Sequence, residues 1–291
     1  VRKLTSSKEI HVIHSSKEGG KIGIVYHPHI ARATELSIML SSTLQAEWTC
    51  SSEEVGPDLS PVSLVVSIGG DGTILRLARA FLSARIPLVG VNVGSLGFLT
   101  EVSADETLKL PEFIKSGGWI DERSMLQVNL RGETFHALND VVVARGEIPR
   151  TTELRVNIDN EHFTTYRADG VIVASATGST GYCLASGGPA IHPQAKEMVL
   201  LPISPHLTFP YSLVLRGESS IEVEAMKKVV VSLDGQLNFN LEVGEKATIT
   251  QSPYTTLFLR FHPPSFFGKR LAEIESRKGK NRRCPPDSKP D

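Results

Sequence analysis

The residue best placed to do chemistry is Asp71, a carboxylate set inside the glycine run Gly69, Gly70, Asp71, Gly72, Thr73. Glycines let backbone N–H groups approach a ligand with no Cβ in the way. A helix starting here would add its unsatisfied first-turn donors and its positive dipole end. The loop is therefore a candidate phosphate seat. A carboxylate in its middle would repel a bound phosphate unless a metal or a transferable proton is involved, which makes Asp71 the candidate for chemistry. The same residues also spell a plain Asp-Gly turn, and alone they do not decide between the two.

The elements around this loop say where it must sit. Val62 to Leu77 runs from an apolar stretch through the glycines into helical spacing, a strand, a loop and a helix start. Lys21 to Tyr26 is a strand pattern, Ala31 to Leu44 a helix with Leu36, Met39, Leu40 and Leu44 on one face, and Pro87 to Val91 a further strand. This βαβαβ order implies a mainly parallel sheet covered by helices, with ligands at the carboxyl ends of its strands. A second glycine loop, Asn92 to Val102, follows a strand directly and would lie beside the first, although taken alone a simple connection with a packed Phe98 is the preferred reading. Ala104 to Lys115 reads as a short helix.

From Trp119 onward alternating, turn-punctuated runs such as SMLQVNL, LRVNID and KVVVSLD predict an antiparallel, β-rich domain. The expected organisation is a loose arm over 1–20, an α/β domain over 21–119 completed by 254–276, a β-rich dinucleotide-binding domain over 120–253 and a disordered tail over 277–291. The active site would lie in the cleft between the two domains.

Composition narrows the class. The 291 residues are 40% hydrophobic and 22% charged with a formal net charge of -1, so nothing global points to nucleic acid. No apolar run reaches the roughly 20 residues that cross a bilayer, and the opening VRKLTSSKEI has no secretory core, so the expectation is a cytoplasmic protein without a membrane partner. Cys50, Cys183 and Cys284 suit neither a disulfide framework nor a zinc site.

Three further groups stand out in the second half. Asn139-Asp140 interrupts a hydrophobic strand pattern, as a turn or as a polar pair at a pocket edge. Arg167 to Tyr182, RADGVIVASATGSTGY, gathers Thr177, Gly178, Ser179, Thr180, Gly181 and Tyr182 at one strand end, hydroxyls, amides and an aromatic suited to ribose and adenine. His192 and His206 match no zinc site or catalytic triad, and Asp234-Gly235 is a hairpin-turn signal first and a ligand contact second.

The collinear order of GGDGT, NVGSLGFL, Asn139-Asp140, DGVIVASATGSTGY, SGGPAIHP, PISPH and SLDGQ, over about Lys21 to Phe267, resembles the NAD kinase family. That resemblance implies phosphorylation of the 2′-hydroxyl of the adenosine ribose of NAD to give NADP, with ATP or polyphosphate as donor. It also implies Mg²⁺ or another divalent metal, with no protein metal ligand assigned, and a homodimer or homotetramer. It gives Asp71 the catalytic role of orienting or deprotonating the acceptor hydroxyl, and Gly69, Gly70 and Thr73 the phosphate. The acceptor dinucleotide falls to Gly72, Phe98, Asn139, Asp140, Asp169, Thr177, Thr180, Gly181 and Tyr182.

This chain departs from the family at Asp140, where glutamate is usual, at Gly181, where alanine is usual, and at Ser175-Ala176, where Thr-Pro or a similar pair is usual. The first shortens a carboxylate by one methylene, the second only removes a methyl, and the third bears on loop rigidity. A lipid kinase sharing only GGDGT and a dinucleotide sensor without catalysis are the competing readings.

Overall fold

The computed structural model describes residues 20–56, 59–94, 97–146 and 151–262. The described residues up to Phe261 form one compact unit, and beyond it only His262 is described. Residues 1–19 of the predicted arm, the predicted tail, the part of the expected 254–276 completion beyond His262, and Cys284 lie outside the described residues.

The first part alternates strand and helix: β1 Ile22–Tyr26, α1 Ala31–Leu44, β2 Trp48–Ser51, β3 Leu64–Gly69, α2 Asp71–Ala80 and β4 Leu88–Asn92. A two-residue strand β5 (Val102–Ser103), a 3₁₀ turn over Ala104–Lys109 and α3 (Leu110–Ser116) follow. Then come β6 Trp119–Leu130, β7 Glu133–Ala137, β8 Asp140–Arg145, β9 Thr152–Ile158, β10 Glu161–Ala168 and β11 Gly170–Ala174. The short helix α4 (Tyr182–Ala185) precedes β12 Met198–Ile203, β13 Leu213–Leu215, β14 Ile221–Ala225, β15 Val229–Leu233, β16 Leu237–Leu241 and the long β17 Lys246–Arg260.

Strands β2-β1-β3-β4 are parallel, as the βαβαβ reading requires. The apolar runs of β1, β3 and β4 are continuous because both faces are covered. Ile24, Val66, Ile68, Val89 and Val91 pack with Leu36 and Leu40 of α1, while Val25, Val65 and Leu88 pack with Ile74, Leu77 and Ala78 of α2. Each buried leucine contributes roughly 1.5–3 kcal/mol relative to exposure. The helix α1 ends where Gln45 turns left-handed at φ 52 and its N–H caps Ser41 C=O.

The antiparallel half is two stacked layers. One is a six-stranded sheet, β13-β12-β11-β8-β15-β16. The other, β10-β9-β14-β17 with β6 and β7, belongs to the same eleven-stranded sheet as the parallel strands. Val141, Val143, Val171, Val173, Val229 and Val231 face Leu126, Val128, Leu154, Val156, Val223 and Ile249 across the core, the alternation expected of strands with one inward face. On the other face of the six-stranded sheet, Ile172, Ala174, Val199 and Leu201 are covered by Cys183 of α4.

The fold is thus an N-terminal α/β part with a mostly parallel sheet, joined to an antiparallel β part. β17 makes the joint: it ladders with β14 at Ile249 to Lys246, runs beside β6 along its length, and pairs in parallel with β4 at Phe258↔Leu88. Sheet hydrogen bonding therefore continues through position 120 into the second part.

Candidate active site

Gly69 ends β3, Gly70 is the extended N-cap of α2 at φ -112 and ψ -171, and Asp71 is the first helical residue. The glycine loop accordingly lies at the carboxyl end of a parallel strand and at a helix N-terminus. Asp71 is held by the second glycine loop: Phe98 N–H donates to its Oδ2 at 2.8 Å and Leu99 N–H to its Oδ1 at 3.0 Å. A carboxylate has about four acceptor positions, so two backbone amides orient it and leave it able to accept a hydroxyl proton. The close approach needs Gly97, where a Cβ would stand 2.0 Å from Asp71 Oδ1.

The other glycines differ in what they do. A Cβ on Gly69 would meet Thr73 Oγ1 at 2.3 Å, whereas one on Gly70 would meet nothing within 4 Å. Thr73 is 3% exposed and its hydroxyl has no hydrogen-bond partner among the described residues, so it sits beneath the loop rather than on its open side. Gly72 is exposed, and its C=O accepts from Gln236 Nε2 at 2.8 Å.

Asn139, Asp140, Thr177 and Thr180 are brought together by pairing of β8 with β11, which sets Asp140 opposite Ala174. The polar loop folds back onto this turn. Ser175 N–H donates to Asn139 C=O at 2.8 Å, Ser175 Oγ to Leu138 C=O at 2.6 Å, and Gly178 N–H to Ser175 Oγ at 3.1 Å. The Ser175 hydroxyl pins this loop at the position where the family usually has a Thr-Pro or similar pair. Gly178 is required sterically, since a Cβ there would lie 1.9 Å from Asn139 O, while one on Gly181 would meet only Gly178 O at 3.4 Å. Thr180 Oγ1 donates to Thr177 C=O at 3.1 Å, and Tyr182 is half-exposed beyond it.

Asp169 is set apart. It precedes Gly170, at the end of β11 opposite to Ala174 and the polar loop, roughly 13 Å along the strand from the rise per residue. Its carboxylate accepts from Arg145 Nε at 3.0 Å.

Burial raises the Asp140 carboxyl to about 7, helped by the charge of Asp234. Asp234 itself is the residue that sequence reading undervalued. The Asp-Gly pair does form the β15–β16 hairpin turn, with φ 52 at Asp234 and 65 at Gly235. Its buried carboxylate, however, accepts Leu138 N–H at 3.1 Å, Asn139 N–H at 2.7 Å and Asp140 N–H at 3.4 Å, and pairs with Arg79 of α2 at 2.6 Å. Arg79 also donates to Gln236. The hairpin tip thus ties the helix that begins with Asp71 to the Asn139-Asp140 turn. Burial pushes the Asp234 carboxyl up, against the pull of those amides and Arg79. Only the recurrence of SLDGQ in the motif order could have flagged it.

Cys183 is fully buried, and burial together with the Asp140 charge lifts its thiol to about 11, which suits a packing role. Cys50 is lifted likewise to about 11 by burial and by Glu54. His192 Nδ1 accepts from Gln194 N–H at 3.3 Å and His206 N–H donates to Arg167 C=O at 2.8 Å, so both take part in local structure.

A parallel sheet that ends in a glycine loop with an oriented carboxylate, beside a hydroxyl-lined loop on an antiparallel layer, has the build of a nucleotide-handling phosphotransferase. Comparison with known proteins narrows that class. Residues 52–115 match the ATP-NAD kinase N-terminal domain and residues 138–261 the ATP-NAD kinase C-terminal domain. The chain is 39% identical over 267 residues to an NAD kinase of Dehalococcoides mccartyi, covering 86% of this chain and 94% of that protein. It is 34% identical to the NAD kinase of Chloroflexus aurantiacus, covering 86% and 96%. A crystal structure of an NAD kinase from Archaeoglobus fulgidus in complex with ATP superposes with a TM-score of 0.73 at 25% identity, over 88% of this chain and 98% of that one. Yeast NADH kinase complexed with NADH shares the fold, with a TM-score of 0.74 at 24% identity over 92% and 90%. The chain belongs to the NAD kinase family.

Proposed function

We propose that this chain transfers the terminal phosphoryl group of ATP to the 2′-hydroxyl of the adenosine ribose of NAD, giving NADP. The observation that carries the reading is the Asp71 carboxylate, oriented by the amides of Phe98 and Leu99 at the mouth of the glycine loop. Phosphoryl transfer asks for positioning and charge stabilisation rather than covalent help from the protein. Asp71 accepts the proton of the acceptor hydroxyl as that oxygen attacks, and Gly69, Gly70 and the first turn of α2 face the donor phosphates. Phe98, Thr177, Thr180, Gly181 and Tyr182 line the adenosine, while Asn139 and Asp140 hold the ribose and nicotinamide half. Asp169 joins this set by family resemblance alone, its position being at the far end of β11.

Among the described residues no group of three or more His, Cys, Asp or Glu side chains could hold a metal ion. An all-protein cage does not fit here. Mg²⁺ generally takes one or two carboxylates together with phosphate oxygens and water, so the family's divalent ion belongs with the nucleotide, and the steps above rest on the chain's own groups. Polyphosphate is an alternative donor of the same chemistry.

The working form is a cytoplasmic homodimer or homotetramer. Leu207, Tyr211 and Val214 are exposed along one short segment, an apolar surface suited to a second copy. No helix among the described residues is long and apolar enough to cross a membrane.

The deciding experiment is a coupled assay that crosses NAD and NADH against ATP and polyphosphate with Mg²⁺, with sphingosine and diacylglycerol as competing acceptors. NADP or NADPH formation dependent on a donor is expected. Phosphorylation of a lipid alone, or dinucleotide binding with no product under any donor, would overturn the assignment.

A further inference from the structure

Asp121, Arg123 and Arg260 are 2%, 8% and 4% exposed, three charges in the interior of a protein whose sequence marks none of them as functional. Asp121 and Arg123 share one face of β6 because they are two residues apart, and Phe258 and Arg260 extend that face on β17, where Phe258 pairs with Asp121. Arg123 grips Asp121 through two bonds, Nε to Oδ1 at 2.8 Å and Nη2 to Oδ2 at 2.5 Å. Arg260 Nε reaches Asp121 Oδ2 at 3.2 Å, and both guanidinium groups stand over the Phe258 ring, 4.6 Å from its centroid for Arg260 and 5.8 Å for Arg123.

The two ends of this cluster lead into the candidate site. Arg260 Nη1 donates to Leu99 C=O at 2.9 Å and approaches Glu101 Oε2 at 3.3 Å, while Glu101 Oε1 accepts Phe261 N–H at 2.9 Å. Leu99 is the residue whose own N–H holds Asp71 Oδ1. At the other end Arg123 Nη1 makes a long bond of 3.4 Å to Thr177 Oγ1, and Gln194 Nε2 donates to Asp121 Oδ1 at 3.2 Å.

A buried ionic group is a poor device for stability alone, because desolvation offsets most of its attraction and well-packed apolar residues would do as well. Arg260 carries the further cost of a buried Nη2 with no hydrogen-bond partner among the described residues. What the cluster supplies instead is one fixed geometry. We propose that Arg123, Asp121 and Arg260 are positioning residues that couple the Thr177 loop to the Asp71 carboxylate through Leu99, so that acceptor loop and catalytic carboxylate keep one alignment. This rests on the kinase reading above.

The test uses the full-length chain. Arg123→Lys keeps the charge but loses the two-pronged grip on Asp121, and Thr177→Val removes only the acceptor at the far end. Amide hydrogen exchange of 97–101 is followed without substrate, and NAD kinetics are followed separately. The amides of Phe98 and Leu99 should exchange several-fold faster in Arg123→Lys and about twofold faster in Thr177→Val, although neither residue touches them. In Arg123→Lys kcat should fall about tenfold or more while KM for NAD stays within about threefold. Faster exchange confined to the segments around 119–125 and 177–181 would overturn the coupling. If Arg123→Lys does not fold, Thr177→Val decides by the same exchange measurement. A wild-type chain that makes no NADP would overturn the kinase reading and leave the exchange result standing.

Discussion

Gly97 has no side chain where Asp71 Oδ1 lies, and a Cβ there would approach that oxygen to 2.0 Å. The orientation of the carboxylate is therefore set by a glycine on a different loop. Gly97→Ala should displace Asp71 without touching it chemically, lowering kcat about a hundredfold while the far-ultraviolet circular dichroism and thermal midpoint stay near wild type. Wild-type turnover in this variant would show that the contact has no catalytic meaning.

Gly181→Ala is the paired control. Its Cβ would stand 3.4 Å from Gly178 O, ordinary contact, and alanine is the usual family residue there. Turnover and NAD affinity should both remain within about twofold of wild type. A tenfold loss would mean that the polar loop is tighter than its geometry indicates.

Asp71→Asn should cost about 10²–10⁴ in NADP formation and leave NAD binding measurable by calorimetry. Part of that loss has a structural origin, because one end of an asparagine amide would turn an N–H₂ toward Phe98 or Leu99 N–H. Asp71→Asn and Gly97→Ala should therefore be less than additive when combined. Full additivity would separate the two residues.

Asp234→Ala removes the acceptor for three backbone amides and the partner of Arg79 in one step. Unfolding in urea should show a loss of about 3 kcal/mol or more. A loss below about 1 kcal/mol would show that the hairpin tip is not what joins α2 to the Asn139-Asp140 turn.

The raised Asp140 gives a pH dependence of defined sign. At pH 4 to 7 the folded state holds a proton on Asp140, which titrates at about 7, while the unfolded chain has released its own. Stability must then fall as pH rises through that window and level off above it, by an amount on the order of a few kcal/mol. Asp140→Asn should flatten the slope between pH 4 and 7 in denaturant titrations. An unchanged slope would place the titration elsewhere.

The α/β part is legible in the sequence because doubly covered parallel strands must be apolar throughout: β1, β3 and β4 stand where the runs at Lys21, Val62 and Pro87 predict, and α1 matches its range residue for residue. Strand β2 escaped because Trp48–Ser51 mixes polar and apolar residues with two partly exposed positions and an exposed Thr49. At the charged start of β6 the buried pairing of Asp121 with Arg123 and Arg260 comes from tertiary structure and is not visible in the local sequence. For the site, the Asp71 loop and the Thr177 loop are visible as glycine and hydroxyl patterns. Gly97, Asp234, Arg79 and Arg260 act through partners from tens to 161 residues away, a relation that local spacing does not carry.

Because β17 pairs with β4 only at Phe258↔Leu88, the parallel strands gain this neighbour from the last strand described. On a ribosome, β1 to β4 would emerge long before it and wait with that edge of β4 covered only by β5, at Val91 and Asn92. Assembly of the molecule should be gated by its C-terminal strand, a topology with long loop closures that favours slow folding. Pulse-labelled hydrogen exchange during refolding should show β4 amides protected together with those of β17, and earlier protection of β4 would disprove the order.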